Sequence, residues 1–232
     1  MNSKFNEVII AAAVRTPIGT FKGSLKNIKA DQLGSIVIKE LINRANIDPK
    51  DINEVILGQV LTAGTGQNPA RQASINAGLS KSIPAYLVNQ VCGSGLRSVI
   101  LGFQSIKLNE AKYIISGGQE NMSIAPHTLF YRNGDKLLKE NLIDTMIHDG
   151  LIDAFNKYHM GITAENIAEK FNISRQEQDN FALKSQEKTQ LALKQNKFKD
   201  ELISVNLDGS FLNYDEHPRK NLKIEDLEKL KS

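Results

Sequence analysis

Residues 85–118 read AYLVNQVCGSGLRSVILGFQSIKLNEAKYIISGG, and this stretch decides the fold. It opens with an apolar run at 85–91, continues through glycines and serines into a helical pattern at 96–108, and closes with a second apolar run at 113–116. A strand, a helix and a second strand in this order form a βαβ unit, whose two strands lie parallel. The stretch therefore predicts a parallel sheet that is covered by helices.

The same alternation extends upstream of this stretch. The apolar residues 8–13 read as a buried strand, and residues 54–60 read as a further strand. Helical patterns of apolar residues cover 31–45 and 68–77. We therefore expect the first part of the chain to hold a mostly parallel sheet of about four or five strands, with helices on both faces.

The pattern changes downstream, where strand-like runs become few and polar and turn residues become frequent. Ser174 and Glu177 form a capping box, which predicts that a long polar helix begins there and runs to about residue 195. We divide the chain into an α/β core at 1–118 and a helical, loop-rich insertion at 119–232.

The composition is that of an ordinary globular protein. Of the 232 residues, 41% are hydrophobic and 24% are charged, which argues against a disordered chain, a collagen-like chain and a multi-span membrane protein. The net charge is only +3, which is too balanced to indicate a nucleic-acid-binding protein. A single cysteine excludes an intrachain disulfide scaffold, so we expect the cytoplasm as the compartment.

The candidate chemistry centres on the one cysteine, Cys92, at the junction of a predicted strand and a predicted helix. Unpaired N–H groups and the macrodipole at a helix start favour a thiolate. Gly93 and Gly95 carry no side chains, so a substrate carbonyl could approach the sulfur closely. The backbone N–H of Cys92 or of Gly93 would then face the oxyanion that develops on that carbonyl.

The residues alone leave a second interpretation of Cys92 open. A lone cysteine often packs as a small buried hydrophobic residue, and its position before a helix makes the nucleophilic and the structural roles about equally favoured. The four histidines show no spacing that is typical of metal ligands, so we expect no metal site.

Five separate stretches of the chain resemble the thiolase family of CoA-dependent acyltransferases, and together they cover essentially its whole length. The matching stretches are AAAVRTPIGTFKGSLK (11–26), GQVLTAGTGQNPARQASINAGL (58–79), VCGSGLRSVILGFQSIKLNEAKYIISGGQENMS (91–123), DGLIDAFNKYHMGITAENIAEKF (149–171) and NYDEHPRKN (213–221). The resemblance implies a thiolase-like N-terminal α/β core, followed by a loop domain that covers the CoA site.

The resemblance also implies an activity. The residues YHMG at 158–161 point to the biosynthetic branch of the family, the acetyl-CoA C-acetyltransferases. In that branch Cys92 would take the acetyl group from acetyl-CoA, its own backbone N–H would form part of the oxyanion hole, and a Claisen condensation to acetoacetyl-CoA would follow. The CoA thioester is then the substrate, and we expect no separate cofactor.

Four further positions match residues that bind CoA in the family. Leu151, His159 and Met160 match positions along the pantetheine arm or the thioester pocket, and Arg219 matches a position near the CoA nucleotide. Residues 61–71 resemble the loop and helix start that support subunit association. We therefore expect acetyl-CoA or another acyl-CoA as the ligand, neither nucleic acid nor membrane as a partner, and a homo-oligomer.

Three motifs of the thiolase family have no counterpart in this sequence. They are Asn-Glu-Ala-Phe, which holds a catalytic water, Gly-His-Pro, whose histidine activates the nucleophile, and Cys-x-Gly, whose cysteine is the acid and base of the condensation. The one His-Pro pair, His217-Pro218, follows a glutamate. We therefore expect an N-terminal portion of such an enzyme, with a truncated loop domain, an exposed apolar face and practically no condensation activity alone. A C-terminal thiolase half would complement it.

Two other functions remain as alternatives. A non-catalytic subunit that binds CoA or another thiolase subunit would explain the missing motifs without any loss of function. A cysteine hydrolase unrelated to thiolases would need a histidine base in this chain, and no histidine here lies in a supporting motif. The acyltransferase interpretation is favoured because five stretches of sequence support it.

Overall fold

The fold is built around a parallel three-stranded sheet. A computed structural model describes residues 7–132 and 141–231 of the chain. Strand β1 (Glu54–Gly58) lies between β2 (Ala85–Val88) and β3 (Ile114–Gly118), and both neighbours run parallel to it. The mixed α/β class and the parallel sheet confirm the prediction made from the sequence.

The central strand β1 is buried because helices cover the sheet on both faces. Helices α1 (Ala30–Ala45) and α2 (Pro69–Asn76) pack on the face that carries Val55, and α3 (Ser94–Lys107) packs on the face that carries Ile56. Alternate side chains of a strand point to opposite faces, so both layers bury aliphatic side chains of the same strand. Each fully buried aliphatic side chain contributes about 1.5–3 kcal/mol to the free energy of unfolding.

The N-terminal segment differs from the prediction. Residues 8–13 were expected to form a buried strand, but they pair with no strand among the described residues, and Ile9 and Ile10 are 74% and 79% exposed. The described part of residues 1–118 therefore holds three strands rather than four or five. An apolar run becomes a strand only where neighbouring N–H and C=O groups pair with it along its length, and that pairing is not made here.

A groove separates this segment from the free edge of β3. Its volume is 620 Å³, and it is lined by residues 8–16, by parts of α1 and α3, and by residues 112–120. Within the described sheet β3 pairs only with β1, so its outer edge keeps unpaired backbone groups. Residues 8–13 thus lie near the unpaired edge of β3, where a further strand could pair, but they do not pair with it.

The rest of the chain forms short strands and helices. Strand β4 (His127–Thr128) pairs antiparallel with β5 (Ile143–Asp144), and β6 (Val205–Leu207) pairs antiparallel with β7 (Ser210–Leu212). The helices of this part are α4 (Thr145–Gly150), α5 (Met160–Phe171), α6 (Arg175–Lys194) and α7 (Ile224–Glu228). The capping box predicted for the start of α6 is present.

The β6–β7 hairpin packs against the first half of the chain. Val205 and Leu212 form one buried apolar cluster with Leu25 and with Leu33 of α1. This contact joins residues on the two sides of the predicted boundary at residue 118. The division into two domains stays a prediction.

Candidate active site

The loop from β2 to α3 presents Cys92 at the surface. Strand β2 ends at Val88 and α3 begins at Ser94, and Cys92 comes immediately before Gly93, the N-cap residue of α3. The thiol is free and the residue is exposed, whereas a structural packing role would require burial. The chain therefore holds Cys92 at a helix start, where a ligand can reach it.

The turn that carries Cys92 has a strained backbone that Ser94 holds in place. Val91 has a φ of 49°, which lies in the left-handed region and is rare for a β-branched residue. The Ser94 hydroxyl donates to the Val91 carbonyl at 2.5 Å and accepts the Gln90 N–H at 2.9 Å. Strained turns of this kind persist only where surrounding contacts fix them, and they occur often at functional sites.

The start of α3 lies very close to the carboxyl ends of β1 and β3. A Cβ added to Gly58 would lie only 2.4 Å from the carbonyl carbon of Ser94, so glycine is required there. The hydroxyl of Ser98 is 2.7 Å from the carbonyl oxygen of Gly117. These residues were not predicted from the sequence, although the small residues Ser94, Ser98 and Gly102 recur every four positions.

The two backbone N–H groups considered for the oxyanion hole are not equivalent. The N–H of Gly93 donates to the carbonyl of Gln90 at 3.1 Å, so it is already engaged. The N–H of Cys92 is therefore the better candidate donor to a developing oxyanion.

A second group of predicted residues comes together at the start of α5. Ile152 and His159 pair in an antiparallel bridge, and the N–H of Met160 donates to the Leu151 carbonyl at 2.8 Å. His159 is the N-cap residue of α5, and its Nδ1 accepts the N–H of Gly161 at 3.0 Å. A neutral ring in this arrangement carries its hydrogen on Nε2. Leu151 thus ends α4 and meets His159 and Met160 across the loop that joins α4 to α5.

Arg219 lies on another surface, beside α6. Its N–H donates to Oε1 of Gln186 at 2.9 Å, and its carbonyl accepts Nε2 of Gln190 at 3.2 Å. The three residues line a cleft of 270 Å³. Within the described residues, no hydrogen bond or ion pair joins Arg219 to Cys92 or to the turn at the start of α5.

Glu120 carries a half-buried carboxyl group near the same end of the sheet, and no role was predicted for it from the sequence. Its Oε2 accepts the N–H groups of Val60 at 2.8 Å and Leu61 at 3.2 Å. Burial raises the pKa of Glu120 above its ordinary value. A charged residue just after a strand is a signal that could have found it, because ligand sites in parallel sheets lie at the carboxyl ends of strands.

The described ranges, 7–132 and 141–231, hold neither a candidate metal site nor a membrane-spanning helix. No group of three or more His, Cys, Asp and Glu side chains there could hold a metal ion. No helix in those ranges is long and apolar enough to span a bilayer.

Comparison with known proteins identifies relatives along the whole chain. The family model described as "Thiolase, N-terminal domain" matches residues 8–232. The "Acetyl-CoA acetyltransferase" of Paracoccus denitrificans is 48% identical over 229 residues, which are 97% of this chain. The protein of the same name from Pseudomonas aeruginosa is 50% identical over 231 residues, also 97% of this chain. The "Acetyl-CoA acetyltransferase, cytosolic" of Rattus norvegicus is 44% identical over 235 residues, 100% of this chain.

The relatives are considerably longer than the chain. It spans 59% of the length of each of these three relatives. About two fifths of each relative therefore has no counterpart in the 232 residues.

Proposed function

The chain belongs to the thiolase family, and on that premise we propose that it is the N-terminal portion of an acetyl-CoA C-acetyltransferase in which Cys92 accepts the acetyl group. The observation that carries this proposal is the exposed thiol of Cys92 directly before the N-cap of α3. A nucleophilic sulfur needs access to its substrate and an environment that favours negative charge, and a helix start supplies such an environment.

Acyl transfer at this site would pass through a tetrahedral intermediate. The Cys92 thiolate attacks the thioester carbonyl of acetyl-CoA, a carbon–sulfur bond forms, and the carbonyl electron pair moves onto oxygen. The N–H of Cys92 donates to that oxyanion. The bond to the CoA sulfur then breaks, and CoA leaves as a thiolate that takes up the proton lost by Cys92. The products are S-acetylated Cys92 and free CoA.

The predicted CoA-binding residues have separate roles in this proposal. Leu151, His159 and Met160 would line the path of the pantetheine arm, which is supported by their meeting at the two ends of the loop between α4 and α5. Arg219 would contact the nucleotide end, which is supported by its position on a cleft beside α6. A guanidinium group is well suited to phosphate oxygens.

Condensation requires groups that this chain does not carry. The sequence has one cysteine, so no second thiol can remove a proton from acetyl-CoA. Each missing acid, base or oxyanion donor lowers the rate by about 10²–10⁴-fold. We therefore expect half of the reaction, acetylation of Cys92, without condensation by the chain alone.

The partner that we propose is a complementing C-terminal thiolase polypeptide, which would cover the outer face of α3. That helix contacts the sheet through small residues and exposes large apolar side chains, namely Leu96, Val99, Ile100 and Phe103. Exposed apolar patches mark protein interfaces. A second copy of this chain in a homo-oligomer is the alternative partner that would bury the outer face of α3. The cytoplasm is the compartment that we propose, following the name of the rat relative.

Intact mass spectrometry after incubation with acetyl-CoA tests the proposed acyl transfer. We expect one acetyl group per chain, and none in the Cys92→Ser variant. This variant is a matched control because it changes one atom and leaves an alcohol that stays protonated at neutral pH. Acetylation that persists in Cys92→Ser would contradict the proposal. So would a wild-type chain that iodoacetamide modifies fully and acetyl-CoA does not.

A non-catalytic subunit that binds CoA or another thiolase polypeptide is the second candidate, and the exposed face of α3 favours it. Mixing the chain with the C-terminal two fifths of the Paracoccus denitrificans relative distinguishes the two functions. Condensation that is restored by the wild type but not by Cys92→Ser supports the catalytic role. A stable complex without activity supports the binding role.

A further inference from the structure

Arg15 lies at the centre of a polar cluster that joins the two ends of the chain. Its Nη1 and Nη2 donate to the two oxygens of Asp215 at 2.7 and 2.9 Å, and its Nε donates to Oε1 of Glu201 at 2.6 Å. The side chain of Asp215 is only 6% exposed. Paired N–H donors that face a carboxylate in this way are both strong and directional.

Backbone contacts fix the same segment at the same place. The N–H of Arg15 donates to the Glu201 carbonyl at 2.8 Å, and the Arg15 carbonyl accepts the Ile203 N–H at 3.0 Å. The ring of Phe198 lies 5.3 Å from the guanidinium carbon of Arg15. Arg15 therefore holds the chain just after α6 against the N-terminal segment.

Glu216 continues this cluster on the next turn of the N-terminal segment. Its Oε2 accepts the N–H groups of Thr20 at 3.1 Å and Ser24 at 3.2 Å, and the Ser24 hydroxyl donates to its Oε1. The N–H of Glu216 donates to the Ile18 carbonyl at 3.0 Å. The contacts of Arg15 with Glu201 and Asp215, together with those of Glu216, form what we call the N-terminal clamp.

The clamp lies next to Arg219 along the chain. Only His217 and Pro218 separate Glu216 from Arg219, and proline restricts the backbone between them. At Arg219 the backbone N–H and C=O are held by Gln186 and Gln190 of α6. Arg219 is therefore placed between the clamp on one side and α6 on the other.

Helix α6 buries little of its own surface, so the segments that flank it, the clamp among them, fix its position relative to the core. Asp179 is the one buried residue among its twenty, and the helix packs chiefly against α7. Arg175 strengthens that contact, since its Nη2 donates to the carbonyls of Leu227 at 2.7 Å and Leu230 at 3.0 Å. Neither contact reaches the sheet that carries Cys92. The chain after α6 is joined to the core by the clamp, by the buried cluster that holds Val205 and Leu212, and by a hydrogen bond from Arg44 of α1 to the Asp200 carbonyl.

We propose that Arg15 is a positioning residue for CoA, which fixes Arg219 relative to the core that carries Cys92. This inference rests on the proposed function, in which Cys92 meets the thioester end of CoA and Arg219 meets the nucleotide end. A ligand that reaches two fixed sites gains affinity because the second contact is intramolecular. If the clamp opens, the nucleotide end loses its contact while the pantetheine end keeps its own.

Binding of CoA and of pantetheine, which lacks the nucleotide, tests this inference. In Arg15→Lys the charge stays but the paired contact with Asp215 is lost. We expect the Kd for CoA to rise at least about tenfold and the Kd for pantetheine to stay unchanged. Asp215→Asn should act in the same way, and it provides a second variant if Arg15→Lys does not fold by circular dichroism.

Arg71→Lys is the matched control, because Arg71 binds the carbonyls of Lys81 and Ile83 far from the clamp along the chain. It should leave the ratio of the two Kd values unchanged. An equal rise for both ligands in Arg15→Lys, or no rise for either, would overturn the positioning role. Equal Kd values of the wild type for CoA and pantetheine would overturn it as well. Acetylation of Cys92 by acetyl-CoA tests the proposed function separately from all of these outcomes.

Discussion

The carboxyl group of Glu120 is half-buried just beyond the end of β3, where it accepts the N–H groups of Val60 and Leu61. Nε2 of Gln119 donates to Oε1 of the neighbouring Gln59 at 2.9 Å, which completes a buried polar cluster. Burial raises the pKa of Glu120, because the ionised form loses hydration that the backbone N–H donors around it replace only in part. Ionisation of Glu120 therefore opposes folding.

The Glu120→Gln variant tests this ionisation through the pH dependence of stability. A folded-state pKa above the ordinary 4.5 means that the folded chain binds the proton more tightly than the unfolded chain. The Glu120 contribution to the free energy of unfolding is then fully present below pH 4.5 and falls as the pH rises to the raised pKa. Glu120→Gln should therefore gain stability relative to the wild type on going from acid to neutral pH.

Urea unfolding at both pH values measures this gain. Glu187→Gln controls for the loss of one negative charge, since Glu187 is an exposed residue of α6. The same pH-dependent gain in both variants would show that burial of Glu120 is not the cause.

Helix α6 shows how far local sequence can define an element. Ser174 accepts the Glu177 N–H at 3.2 Å, and Glu177 in turn accepts the Ser174 N–H at 2.8 Å. Hydrogen bonds from the N–H and the hydroxyl of Ser174 lower the pKa of Glu177. The stabilisation from Glu177 is therefore present above pH 4.5, its ordinary value, and is lost as the pH falls through the lowered pKa.

Removal of this cap should weaken α6 without changing the sheet. Ser174→Ala should lower the free energy of unfolding by about 1 kcal/mol at neutral pH, because one backbone donor of the first turn loses its acceptor. Urea unfolding measures the loss. Ser185→Ala, at an exposed position inside the same helix, is the control and should not destabilise the chain, since alanine is the better helix former. A loss in Ser185→Ala equal to that in Ser174→Ala would contradict the capping role.

At the scale of the molecule, the described residues leave an apolar area of the surface uncovered. The outer face of α3 exposes Leu96 and Phe103 at 69% and 48%, and the groove beside β3 adds further apolar lining. Helix α3 faces the sheet with Ser94, Ser98 and Gly102, so its large side chains have no place in the core of this chain. Such a surface favours association.

We expect the isolated chain to associate as its concentration rises, and Phe103→Ser to weaken this association several-fold by removing apolar area from the α3 face. Sedimentation velocity over a concentration series measures it. Phe155→Ser is the matched control, because Phe155 is 91% exposed and belongs to the loop between α4 and α5, not to α3. A wild-type chain that stays monomeric throughout the series would contradict the expectation, as would equal effects of the two substitutions.

Periodicity along the chain was enough to find most of the core elements. The helix predicted at 31–45 and the strand predicted at 54–60 agree with α1 and β1 to within two residues at each end. The position of Cys92 before a helix was also predicted, because glycine and serine after an apolar run indicate a strand-to-helix turn. The hydrogen bond from the Ser94 hydroxyl to the Val91 carbonyl was not predicted. These two groups become neighbours only once Val91 adopts a positive φ.

Elements with a local cause, such as an amphipathic period, a capping box or a glycine-rich turn, could therefore be found from the residues alone. The N-terminal segment and the contacts of Arg15 could not be predicted in this way, because contacts between residues far apart in the sequence determine them. Residues 8–13 have the apolar character of a buried strand, but a strand also needs a paired neighbour, and the edge of β3 lies across a groove. Arg15 meets Glu201 and Asp215 across 186 and 200 residues of chain, a distance over which no sequence period carries information.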